Sequence, residues 1–175
     1  MNLLANNQPN LYHYDKEFTE LIQLHHKKKL PNKILLSGPK GIGKSTIAYH
    51  LINYILSINE EFSYDLKNLR INTKNKSFKL ILNKTHPNFT LVDVDAEKKN
   101  IDIKQIRDLI INLNKSSFND KPRFVLIDNI EFLNLNSINA LLKTLEEPSE
   151  NVFFILINHD SKNLLPTIKS RCLEF

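Results

Sequence analysis

GPKGIGKS, residues Gly38 to Ser45, contains all three glycines of a 175-residue chain. Glycine reaches left-handed backbone without steric cost and lets a ligand approach the main chain closely. Gly38, Gly41 and Gly43 therefore mark a segment with a special backbone. The stretch fits G-x-x-x-x-G-K-[ST], a phosphate-binding loop in which backbone N–H groups ring a phosphate, a lysine reaches its outer oxygens and a hydroxyl holds Mg²⁺. That assigns phosphate binding to Gly38, Pro39, Lys40, Gly41, Ile42, Gly43, Lys44, Ser45 and Thr46, with Ser45 also as a metal ligand.

The neighbours of the loop agree. Lys33-Ile34-Leu35-Leu36-Ser37 reads as a short buried strand, and Ile47, Ala48, Leu51, Ile52, Ile55 and Leu56 recur at helical spacing. Strand, glycine loop and helix is the required order, and it aims a helix N-terminus with its unpaired N–H groups at the anion. A glycine turn between two core elements would leave the Lys44-Ser45 pair without a reason.

Further along, Phe89 to Val92, Phe124 to Ile127 and Val152 to Ile157 read as strands. Helices are marked by Phe18, Leu21 and Ile22, by Ile103, Ile106, Ile110 and Leu113, and by Ile138, Leu141, Leu142 and Leu145, the last stopped by Pro148. A short helical segment is expected around Leu164 to Ile168, leading to the terminal Leu173-Glu174-Phe175. Residues 59–86 read as an insertion, polar and irregular, with one apolar patch at Phe78 to Leu82. Wholly apolar strands alternating with helices predict an α/β fold with a parallel five-stranded sheet covered by helices on both faces.

Phe124 to Ile127 deliver Asp128 to the carboxyl end of the sheet, where ligands of such sheets bind, and a carboxylate there serves Mg²⁺; the alternative is a surface aspartate. Hydrolysis also needs a group that orients or deprotonates water. The next residue, Asn129, cannot be a base, and Glu131 leaves the strand end in another direction. Asn158 ends the fourth strand and is placed to bond the water or the γ-phosphate.

Composition narrows the class. The chain is 41% hydrophobic and 25% charged, as in a globular protein, and its length is most simply one domain. No apolar run reaches the ~20 residues that span a bilayer, and MNLLANNQPN lacks the flank and core of a signal peptide, so a cytoplasmic protein without membrane partners is expected. One cysteine, Cys172, excludes an internal disulfide. The six histidines are scattered, with no zinc-binding pair. A net charge of +5 is compatible with nucleic acid without requiring it; Lys27-Lys28-Lys29 and the cations from Lys67 to Lys84 read as solvated faces as readily as phosphate contacts.

LPNKILLSGPKGIGKSTIAYHLINYIL, HPNF, IDIKQIRDLI, KPRFVLIDNIEFLNLNSINALLKTLEEPSENVFFILIN and IKSRC together resemble the AAA+ domain of bacterial clamp-loader subunits. The resemblance spans nearly the whole chain outside 59–85, and NALLKTLEEP with Ser170-Arg171-Cys172 is its most specific part. Two kinds of subunit compete: the gamma/tau motor, which carries Asp-Glu after the third strand, and delta-prime, which usually lacks that glutamate. Asn129 sides with delta-prime. The resemblance implies ATP or ADP with Mg²⁺ as cofactor and a hetero-pentamer with gamma/tau and delta subunits. Through that complex it implies contact with the sliding clamp and primer-template DNA. It also implies that Arg171 is an arginine finger offered to a neighbouring subunit's nucleotide. Both kinds commonly hold a structural zinc through four cysteines in the region of the insertion; with none there, no zinc is expected. A helical lid and a C-terminal collar domain, which the family carries, are expected to be missing from residues 1–175.

Overall fold

A computed structural model describes residues 4–94, 99–115, 119–159 and 166–175. The chain divides into two compact units, one of residues 1–30 and 43–89, the other of 31–42 and 90–175.

The second unit contains the sheet. Its strands are β1 (Lys33–Ser37), β2 (Phe89–Val92, entering from the first unit), β3 (Arg123–Ile127), β4 (Val152–Asn158) and β5 (Leu173–Glu174). Their order is β2-β3-β4-β1-β5, and the β1–β4, β1–β5 and β3–β4 pairings are parallel. In the β1–β4 register Ser37 lies opposite Asn158, so the exits of these two strands are level.

Three further helices belong to this unit: α4 (Ile103–Leu113), α5 (Leu135–Glu146) and α6 (Pro166–Lys169); here helices are numbered in chain order, α1 to α3 lying in the first unit. One sheet face, with Leu35, Val125, Ile127, Phe154 and Leu156, packs against Ile106, Leu109 and Leu113 of α4 and Ile138, Leu141 and Leu145 of α5. The alternate strand residues Ile34, Leu36, Phe124, Leu126, Ile155 and Ile157 are buried too, as the uninterrupted apolar strands require.

Side chains fix the helix ends. Asp102 and Gln105 form a capping box at the start of α4, and Asn134 accepts the Ser137 N–H at the start of α5, at 2.9 Å. At the other ends, cations from the first strand residues meet the orphan carbonyls. Arg123 donates to the carbonyls of Asn112, Leu113 and Lys115, and Lys33 to that of Leu145 at 3.0 Å. Helix α5 stops two residues before Pro148, whose predecessor Glu147 is already out of helical conformation. Of the segment expected at Leu164 to Ile168, α6 supplies Pro166 onward; Leu164 lies outside the described residues.

The first unit holds α1 (Asp15–His26), α2 (Lys44–Leu56) and α3 (Lys76–Leu82). Helix α2 is buried almost all round, as its apolar run implies. Residues 59–86 are more regular than the sequence reading expects. Phe78 and Ile81 are buried on α3, and the helix is nucleated by polar contacts. Asn75 caps its N-terminus while exchanging amide hydrogen bonds with Asn53, and the Ser77 hydroxyl donates to Glu60 at 2.6 Å. His50 is fully buried between Tyr64 and the Gln8 carbonyl. Burial drives its pKa down to about 4, opposed weakly by the Gln8 carbonyl, so the ring is neutral. Nε2–H then donates to Gln8 and Nδ1 accepts from the Tyr64 hydroxyl.

Candidate functional site

The glycine loop runs from the second unit into the first, the division falling between Ile42 and Gly43. All three glycines have positive φ, +147° at Gly38, +90° at Gly41 and +100° at Gly43, so this backbone is closed to most residue types. Gly43 is the N-cap of α2, with Lys44 as first helical residue, then Ser45 and Thr46. Lys44 is only 4% exposed. Burial disfavours an ammonium group, and the positive end of a helix dipole disfavours it again. No acidic residue stands in the first turn of α2.

In the second unit, the Gly38 N–H donates to the Asn158 carbonyl at 3.3 Å, and the Asn158 amide donates to the Ser37 hydroxyl at 3.5 Å. Asn158 is fully buried. The predicted water-binding residue thus stands at the carboxyl end of β4 and ties that end to the start of the loop.

Asp128 follows β3 directly, and its N–H donates to the Val92 carbonyl at 2.9 Å. Its Oδ1 accepts two hydrogen bonds, from the Asn129 N–H at 2.9 Å and from His159 Nε2 at 2.9 Å. Asn129 is left-handed, φ 59° and ψ 48°, and its amide donates to Asp93 at 2.8 Å. Glu131 accepts the His159 backbone N–H at 3.3 Å. The structure brings Asp128, Glu131 and His159 together, and only His159 escaped the sequence reading. Its signal was faint: one polar residue beyond the end of β4, with a partner 31 positions away.

Arg171 lies in the turn before β5, folded onto its own unit. Its guanidinium pairs with Glu146 at the end of α5 and donates to the Thr167 carbonyl at 2.8 Å. Beside it, burial pushes the Cys172 thiol up to about 11, with Lys33 and Arg171 pulling partly back. Among the described residues, no group of three or more histidine, cysteine or acidic side chains is arranged to hold a metal ion, and no helix is long and apolar enough to cross a membrane.

A family model described as DNA polymerase III, delta subunit, matches residues 14–175. The chain is 34% identical over 152 residues to DNA polymerase III subunit delta' of Pseudomonas aeruginosa, covering 87% of this chain and 44% of that protein. It is 33% identical over 149 residues to DNA polymerase III subunit gamma of Buchnera aphidicola subsp. Schizaphis graminum, covering 84% and 38%. The chain thus spans less than half the length of these relatives. Among solved structures it resembles a DNA polymerase III gamma subunit-related protein of Thermotoga maritima, with TM-score 0.59, 24% identity and 89% and 44% coverage. It also resembles the RuvB Holliday junction branch migration motor of Thermotoga maritima, with TM-score 0.55, 16% identity and 98% and 49% coverage. At such identities the structures speak to fold alone, and the fold is the α/β core with a five-stranded sheet expected from the sequence.

Proposed function

Because the chain belongs to the DNA polymerase III, delta subunit, family, we propose that it acts as a delta-prime-type clamp-loader subunit, a stator that lends Arg171 to a neighbouring motor subunit. The partners in this reading are gamma/tau and delta subunits in a hetero-pentamer that places the sliding clamp on primer-template DNA. Overall identity does not separate delta' from gamma, at 34% against 33%. Residue 129 does. The observation that carries the reading is the Asn129 amide, which stands directly after the strand-end aspartate and is bonded to Asp93. Such a neutral amide cannot deprotonate a water. A gamma/tau-type motor would have to use Glu131 instead, and that carboxylate accepts the His159 backbone N–H.

Nucleotide binding is the second part of the proposal. The left-handed glycines and the buried Lys44 at a helix N-terminus support a phosphate site, with ATP or ADP as ligand. The Ser45 hydroxyl and the Asp128 carboxylate are hard oxygen donors of the kind Mg²⁺ takes. Asp128 fits that role further because its Oδ1 is held by two N–H donors. Mg²⁺ would neutralise phosphate charge there; Lys44 would bind the phosphate and Asn158 would orient it or a water.

The test is reconstitution of the full-length protein with gamma/tau, delta, clamp and primed DNA. Arg171→Ala should lower DNA-stimulated ATPase, an arginine finger being worth on the order of 10³ in rate at the site it serves. Lys44→Ala should leave that ATPase nearly intact. The opposite pattern, Lys44 essential and Arg171 dispensable, would make this chain a motor and defeat the stator reading.

A further inference from the structure

The turn after β4 contains a histidine whose bonding looks wasteful for a residue of purely structural use. His159 Nε2 lies 2.9 Å from Asp128 Oδ1; a carboxylate oxygen only accepts, so Nε2 carries the proton of this bond. The other ring nitrogen, Nδ1, is buried and has no hydrogen-bond partner among the described residues. Buried polar atoms left unpaired are rare in folded proteins, and each calls for an explanation. The ring has given up one bond to keep the other.

We propose that His159 is a positioning residue for Asp128, fixing its carboxylate for Mg²⁺ beside a bound nucleotide; the proposal rests on the nucleotide-binding reading above. A carboxylate held by one donor still turns about its last torsion. Here two donors converge on Oδ1, the Asn129 N–H and His159 Nε2, both at 2.9 Å. Each donor is itself secured. Asn129 is anchored through its amide to Asp93, and the His159 backbone through its N–H to Glu131. The His159 side chain is only 13% exposed, so packing holds the ring as well. Hydrogen-bonding partners that orient a metal's ligands are typically worth 10- to 100-fold in metal affinity.

The test is a titration of Mg²⁺ into the full-length protein with a fluorescent ADP analogue, each variant referred to its own affinity in EDTA. His159→Ala should raise the Mg²⁺ concentration for half-maximal strengthening by about 10- to 100-fold. His159→Gln, whose amide can donate to the same oxygen, should recover most of that loss. Circular dichroism and the unfolding midpoint report whether each variant folds, and the glutamine variant serves if alanine does not. An unchanged midpoint in His159→Ala, a shift to tighter Mg²⁺ binding, or a glutamine variant as poor as alanine would each overturn the proposal. Wild-type protein that binds ADP without responding to Mg²⁺ would overturn it and spare the nucleotide reading. Wild-type protein that binds no ADP would overturn both.

Discussion

Replacing Gly43 by alanine tests whether the loop's backbone is set by steric necessity, and Gly41→Ala supplies the control. Both residues are left-handed, at φ +100° and +90°. An L-residue held there costs about 1–2 kcal/mol. The two sites differ in what an added Cβ meets. At Gly41 nothing lies within 4 Å, so the cost is the backbone term alone. At Gly43 the new carbon would stand 3.0 Å from Cε2 of Tyr14, whose ring precedes α1 as its N-cap. A rigid ring has to shift, and overpacking of this kind adds about 1–3 kcal/mol. Gly41→Ala should therefore cost about 1–2 kcal/mol and Gly43→Ala about 2–5 kcal/mol. At roughly 3 °C per kcal/mol for a chain of this size, that is about 3–6 °C and 6–15 °C in Tm. Urea unfolding followed by circular dichroism measures both. Pairing Gly43→Ala with Tyr14→Ala should bring the glycine substitution back to the backbone cost, measured against Tyr14→Ala alone. Gly43→Ala no worse than Gly41→Ala would refute the steric argument.

Three other outcomes follow from single residues. Lys44→Ala should weaken ADP or ATP binding roughly 10- to 100-fold by calorimetry, the loss expected for one charge-assisted contact of about 1.5–3 kcal/mol. His50 binds its proton near pH 6.5 when unfolded and near pH 4 when folded, so the unfolded chain takes up more protons as pH falls through that window. Stability should decline from about pH 6.5 to about pH 4 by up to ~3 kcal/mol, and denaturant unfolding of His50→Gln should show a flatter pH dependence. Cys172, with its thiol pushed from 9.0 to about 11, should react with a thiol reagent at pH 8 about 100-fold more slowly in the native protein than in urea.

What the sequence displayed was what local pattern controls. The bounds of β1 and β2 match the observed strands: Ile34, Leu35 and Leu36 are buried between the polar Lys33 and Ser37, and Phe89 and Val92 are the buried ends of β2. The glycine loop was legible because three unusual backbone positions leave three glycines. Elements built from distant contacts were not. Helix α3 is seven residues in a polar stretch and forms through Asn53 and Glu60, partners 22 and 17 positions away. Strand β5 is two exposed residues that become a strand by pairing with Ile34 and Leu35. His159 and Glu131 were unreadable as a pair for the same reason: neither has a local pattern, and parallel pairing of β3 with β4 brings their loops together. Arg171 drew notice through resemblance, while its partner Glu146 was visible only in three dimensions.

The residue after Asp128 is held in place by its neighbours. Asn129 occupies the left-handed region, which asparagine tolerates better than most non-glycine residues. Its amide donates to Asp93, whose backbone carbonyl in turn accepts the side chain of Gln105, a member of the box that caps α4. A glutamate at 129 would set a carboxylate where an amide N–H now faces Asp93, so attraction becomes like-charge repulsion, and it would lose the conformational preference as well. Neighbouring structure has been built around the amide. Asn129→Glu therefore introduces an acidic side chain without the geometry that now holds the amide. The same network that fixes the Asp128 carboxylate holds the amide at the adjoining position.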